Sequence, residues 1–270
     1  EATAENSIAI GDSAKTSAAN ATAVGTLAVA NQLSSSAYGT EAAATGERSM
    51  AFGASAAANK QNTTAMGTSA RATGAYASSY GTNANADAVA AMAFGSGAKA
   101  TATTAISFGT NASASGANSV VMGTDAVASA EDATALGYGA QATGTDAIAV
   151  GKSSVASESD SIAIGSDAKA SKAGAIALGD GATAANTNSV AVGIGATTTR
   201  DDQIMLGQDT TQVTVANLAN TTGRGASGKA IVVANGDGTL SSFEIGSGTF
   251  DSLDCTGEGD NAVCYGPNAE

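Results

Sequence analysis

Between Gly223 and Ala230 the chain reads GRGASGKA, which satisfies G-x-G-x-x-G and all but the last position of a phosphate-binding loop. Either motif needs a helix to begin there and aim its amide N–H groups at phosphate. The next residues, IVVAN, have the pattern of a strand, and Ala230 stands where such a loop places the hydroxyl that binds magnesium. The stretch therefore reads as a turn. The chain contains no histidine, which removes a frequent general base and zinc ligand. Carboxylates gather at Asp237 in NGDG and at Asp254, Glu258 and Asp260, without the regular oxygen-ligand spacing of a calcium loop. Turn chemistry accounts for them. Cys255 and Cys264 bracket CTGEGDNAVC, and a disulfide closing this loop is expected, which suits an oxidising location outside the cytoplasm. The reading is of a non-enzymatic protein with no cofactor and no metal site.

The bulk properties narrow the partners. A net charge of −13, from 24 acidic and 11 basic residues, argues against binding nucleic acid or anionic lipid, which need basic surface. Apolar residues make up 43% of the chain but aromatic residues only 4%, so most of the apolar content is alanine. No apolar run reaches the roughly 18 residues of a membrane-spanning helix. The opening EATAEN shows no signal peptide and fits a mature terminus or a boundary within a longer protein.

Periodicity separates this composition from disorder. Glycine recurs every fourteen residues from Gly11 through Gly109 to Gly207, fifteen times without insertion or deletion. The residue before each glycine is large and apolar every time, among them Ile10, Tyr38, Phe94 and Leu178. Alanine follows three residues after the glycine in thirteen of the fifteen copies, Ser154 and Thr210 being the exceptions. Such phase is the signature of a solenoid. The four residues before each glycine, as in SIAI at Ser7 to Ile10, read as one strand, and the glycine permits a positive-φ turn. A second strand comes next, AKT at Ala14 to Thr16, before another turn returns the chain. Fifteen rungs at roughly 4.8 Å make a rod about 70 Å long.

Alternation assigns the faces. The large residue before the glycine, and often the one two earlier, is expected to point into the roll, against alanines three and five residues after the glycine. The position two before the glycine is then outward, and it holds Ala9, Ala23, Ala37, Ala51, Ala65, Ala93, Ala135, Ala149, Ala163, Ala177 and Ala191, with no charge in any rung. That neutral stripe is expected to be buried against identical chains. On the second strand the outward position carries Lys15, Arg71, Asn85, Lys99, Gln141 and Lys169, a solvated face and the set of candidate ligand contacts.

The strings NSIAIG, DSIAIG and NSVAVG, continued by xxAxA, resemble the head repeats of YadA-like trimeric autotransporter adhesins of Gram-negative bacteria, over residues 1 to 207. The resemblance implies an all-β fold, a left-handed parallel β-roll solenoid with 14-residue turns, packed side by side as a homotrimer at the tip of a surface fibre. It implies binding to extracellular matrix, cells, surfaces or sister bacteria, and the repeats resemble the motif linked to collagen binding. Turns such as SSAYGTEAAA and SSYGTNANA keep the phase but lose the polar lead of that motif. The neck, heptad stalk and membrane-anchoring barrel of the family are not found here, so the chain is expected to be a distal piece that meets the membrane only through an anchor elsewhere.

Beyond Gly207 the period stops. QVTVANLAN reads as a strand and loop, and AIVVA and TLSSFEI read as a hairpin around NGDG. The expected domains are the head at 1–207, a β connector at 208–250 that resembles those joined to such heads, and a terminal cap or linker at 251–270. Three other functions compete with adhesion. A hexapeptide-type acyltransferase would use a histidine and an eighteen-residue turn. An ice-binding solenoid needs a regular threonine array that the mixed exposed positions do not supply. A structural spacer or self-assembling fibre segment is the alternative to an adhesin.

Overall fold

The computed structural model describes residues 1–208 and four strands further on, Ala230–Ala234, Leu240–Glu244, Asp254–Thr256 and Val263–Tyr265. Two compact units divide the chain, Glu1–Gln212 and Val213–Glu270. Every regular element among the described residues is a β-strand.

In the first unit each rung has a three-residue strand such as Ile8–Ile10, a glycine turn, a two-residue strand such as Lys15–Thr16, and a return turn. The three-residue strands stack into a 15-stranded first sheet ending at Ile204–Leu206, and the two-residue strands into a 13-stranded second sheet ending at Thr183–Ala184. All pairing within both sheets is parallel, with each residue beside the one fourteen further on, as in Ala9 against Ala23 and Lys15 against Val29. The second sheet stops early because polar side chains take over its hydrogen bonds. The Ala185 N–H donates to Thr198 Oγ1 at 3.1 Å, and Thr197 retains only a single bridge to Thr183.

Both turns depend on residue type. At Gly109 φ is +138°, and a Cβ there would lie 2.5 Å from the carbonyl oxygen of Gly123 in the next rung. Glycine is thus required twice, by the backbone angle and by the close stacking of one turn on the next. In the return turn the left-handed position is held by asparagine or aspartate in the consensus rungs, with φ of 58° at Asp160 and 52° at Asn188. These short polar side chains tolerate that conformation best after glycine. The next residue, a serine, is buried and closes the turn, as Ser161 Oγ donates to the Glu158 carbonyl at 2.5 Å and Ser189 Oγ to the Asn186 carbonyl at 2.7 Å. The leads NS and DS are therefore turn chemistry.

The interior overturns the expected facing of the first strand. Ala23, Ala37, Ala51, Ala65, Ala93, Ala135, Ala149, Ala163, Ala177 and Ala191 are fully buried within a single chain, and Ala9 in the first rung is partly buried against the same core. They form no outer stripe. Their large neighbours point outward instead, with Ile10, Phe108 and Met122 at 59%, 47% and 56% exposure. The alanines three and five after the glycine do face inward as expected, Ala28 and Ala30 among them. The reason is thickness. Sheets that interleave large side chains stand about 10 Å apart, whereas two tight turns per rung hold these strands so close that alanine and serine side chains fill nearly all of the interior. Val121 is the largest fully buried side chain among the described residues. Strand alternation then leaves one parity, and an error of one residue inverts the whole face.

In the second unit Ala230–Ala234 pairs antiparallel with Leu240–Glu244, Ala234 opposite Leu240, giving the expected hairpin. A strand, not a helix, thus begins at the end of GRGASGKA. The turn NGDG, most of GRGASGKA and the segment QVTVANLAN lie outside the described residues. Asp254–Thr256 pairs antiparallel with Val263–Tyr265, setting Cys255 directly opposite Cys264. Direct opposition is the backbone arrangement that a cross-strand disulfide requires.

Three outcomes are expected. Gly109→Ala lowers the stability of the roll by about 3 kcal/mol or more in a denaturant melt monitored by circular dichroism, since strain and a backbone clash coincide. Ala93→Leu, which overfills the interior, costs about 1–3 kcal/mol or more in the same melt, while Phe94→Ser on the outer face keeps the β-sheet spectrum. Protein made under oxidising conditions blocks no thiol with iodoacetamide until reductant is added, after which mass spectrometry finds both Cys255 and Cys264 alkylated.

Candidate functional site

A roll whose interior is filled with alanine methyls offers its chemistry on its outside. Each rung presents four surfaces: the outer faces of the two sheets and the two turn edges that join them.

The outer face of the first sheet carries the columns that begin at Ile8 and Ile10 and advance by fourteen. The Ile10 column is apolar in every rung, and neither column holds a charge. Parallel stacking brings identical positions into contact, so aromatic residues in neighbouring rungs stack face to face. The Tyr38 and Phe52 rings lie 4.7 Å apart at 6°, Tyr80 and Phe94 4.5 Å at 10°, and Phe94 and Phe108 4.8 Å at 13°. Such ladders contribute roughly 0.5–1.5 kcal/mol per pair beyond area burial. They still leave one side of the sheet open, and the apolar strip runs from Ile8 to Leu206. A continuous apolar strip of that kind marks an interaction surface. The expected alanine stripe passed over these residues. The signal that identifies them is size tolerance: the Ile10 column accepts valine, tyrosine, phenylalanine and methionine, whereas the Ala9 column accepts almost nothing above serine.

The outer face of the second sheet carries the column expected from sequence. Lys15, Arg71, Lys99, Gln141 and Lys169 are exposed, and Asn85 is half-buried. Asn85 is engaged within the chain: its Nδ2 donates to Asp87 Oδ2 at 2.7 Å, and Asp87 Oδ1 accepts from Thr73 Oγ1 at 2.6 Å. The neighbouring column, from Ser17 through Asp87 to Ser171, is hydrogen-bonding in most rungs. The cations Lys15, Arg71, Lys99 and Lys169 stand between two and five rungs apart, so they form a row of separate contact points and no pocket.

Acid collects on the edges. On the return turns Glu131, Asp132, Asp146, Glu158 and Asp160 fall in three successive rungs. The ion pair between Arg48 and Glu47, 3.5 Å apart, is exposed on both sides and so contributes little. Among the described residues no three histidine, cysteine, aspartate or glutamate side chains lie close enough to hold a metal ion.

The family model for the YadA head domain repeat, which spans two copies of the repeat, matches residues 2–28, 30–56, 58–84, 86–112, 114–140, 142–168 and 170–196. Each match covers two rungs, and successive matches begin 28 residues apart, twice the glycine period. No curated protein matches the chain. Among solved structures the chain is similar to the crystal structure of the collagen-binding domain of the Yersinia adhesin YadA, with 20% sequence identity over 80% of this chain and 89% of that one and a TM-score of 0.23. Seven matches in phase with the rungs of the roll establish that the chain belongs to the YadA head domain repeat family.

Proposed function

We propose that residues 1–207 are a non-enzymatic adhesin head at a bacterial surface. Three chains lie side by side, first-sheet faces turned toward one another and second-sheet faces outward. The observation that carries this reading is the unbroken series of in-phase family matches from residue 2 to residue 196. The apolar face supports the assembly, since side chains such as Ile10 and Phe108 regain in contact with another copy the burial that the thin roll denies them. The outward face then repeats its contacts on each chain and along about 70 Å of rod. Weak contacts repeated in this way gain strength by raising the effective concentration of each further one. Lys15, Arg71, Lys99, Gln141 and Lys169 are the proposed contact points for a matrix protein or cell-surface ligand, with Asn85 the least available because of its bond to Asp87.

Assembly and adhesion are tested separately. Sedimentation of residues 1–270 gives a trimer, and a stable folded monomer would remove the assembly. Beads coated with the rod are then offered collagen, other matrix proteins, cells and sister beads. Adhesion to at least one of them, weakened several-fold by Lys99→Glu with Lys169→Glu, is the expected result. A trimer that adheres to nothing in the panel is a spacer.

A further inference from the structure

The chain has five methionines, and all five lie on strands of the first sheet. Met205, in the last rung, packs partly buried against the core. The other four stand on the outer face: Met50, Met66 and Met122 are 43%, 42% and 56% exposed, and Met92 is half-buried. The roll contains no cysteine, and the whole chain has no tryptophan and no histidine. Thioethers are therefore the groups of the roll that a mild two-electron oxidant attacks first. Their sulfur is concentrated on the face that the proposed assembly covers.

Hydrogen peroxide transfers one oxygen atom to a thioether. The sulfur lone pair attacks one peroxide oxygen, the O–O bond breaks, and the second oxygen leaves as water. Sulfur loses two electrons to the peroxide, and the side chain becomes polar and chiral. The four outer methionines differ in what stands beside them. Parallel pairing sets Met66 between Phe52 and Tyr80 and Met122 between Phe108 and Leu136, in the column that is apolar in every rung. Met50 lies between Ser36 and Thr64, and Met92 beside Ser78. Those hydroxyls can donate a hydrogen bond to a sulfoxide oxygen.

We infer that oxidation of Met66 and Met122 by peroxide blocks assembly of the unassembled chain, and that assembly in turn shields both sulfurs. This inference rests on the side-by-side assembly proposed above. A thioether packs in an apolar interface as a flexible hydrophobic group. A sulfoxide buried there without a donor carries the cost of any unpaired polar group, and the cost recurs on every copy. The order of events then decides the outcome. Oxidant that reaches the chain before its copies meet prevents the rod, and oxidant that arrives later finds the sulfurs covered.

Residues 1–270 are unfolded in guanidinium, treated with hydrogen peroxide, freed of it, refolded by dilution and sedimented. The untreated chain should return to the trimer, and the treated chain should need about tenfold or more protein to do so. Met66→Leu with Met122→Leu, which keeps the side-chain volume nearly unchanged, should reform the trimer after the same treatment, whereas Met50→Leu with Met92→Leu should not. A treated unsubstituted chain that assembles like the untreated one overturns the inference, and so does a treated Met66→Leu, Met122→Leu chain that fails to assemble. An untreated chain that never forms a trimer overturns the assembly itself, and this inference with it. Peroxide added to assembled rods gives a second readout by mass spectrometry. Met66 and Met122 should gain oxygen several-fold more slowly than in the unfolded chain, and equal rates would overturn the shielding.

Discussion

The interior of this roll is one methyl group deep on each side, and that limit governs the rest of the structure. Four inward positions per rung must be alanine, serine or threonine, with few exceptions such as Val121, so the solenoid cannot bury the isoleucines, phenylalanines and methionines its sequence contains. The chain therefore gains little hydrophobic stabilisation per rung from its own core, and its large side chains are available to a neighbour. A globular domain puts its large apolar residues inside and polar ones outside. Here the order is inverted along one face. A rod built this way keeps its large apolar side chains on its surface.

The same thinness makes the turns exacting. Rungs stack so closely that the glycine turn excludes a Cβ, as at Gly109 against Gly123, and the return turn forces one residue per rung into left-handed backbone. Asparagine and aspartate meet that demand at low cost, and the buried serine next to them satisfies the turn carbonyl, as Ser161 does. Because each turn lies directly above the next, any choice of side chain is multiplied into a column. Stacked carboxylates such as Asp132, Asp146 and Asp160 make an acidic edge. Stacked rings such as Tyr80, Phe94 and Phe108 make an aromatic ladder. The function of such a protein lies in columns of residues, and a single side chain matters mainly through its place in one.

Departures from the repeat are informative for the same reason. Tyr76 and Ala90 keep a costly backbone without the residue that eases it. The stacking of rungs imposes that backbone angle on whatever residue the position holds, as it does at Ser34 and Arg48.

The sequence by itself determined the period, the number of rungs, the parallel stacking, the glycine turns and the solvated column of Lys15, Arg71, Lys99 and Lys169. Each of these depends on residues at fixed spacing along one chain, and spacing is what a sequence records. The strand of the C-terminal hairpin after GRGASGKA was legible in the same way, from its β-branched run. What only the tertiary structure decided was which parity of the first strand faces inward. Alternation makes Ile8, Ala9 and Ile10 a strand in either orientation, and hydrophobicity alone favours the larger residues as core. The separation of the two sheets settles it, and that distance arises from turns closing through space, so the alanines lie inside and the isoleucines outside.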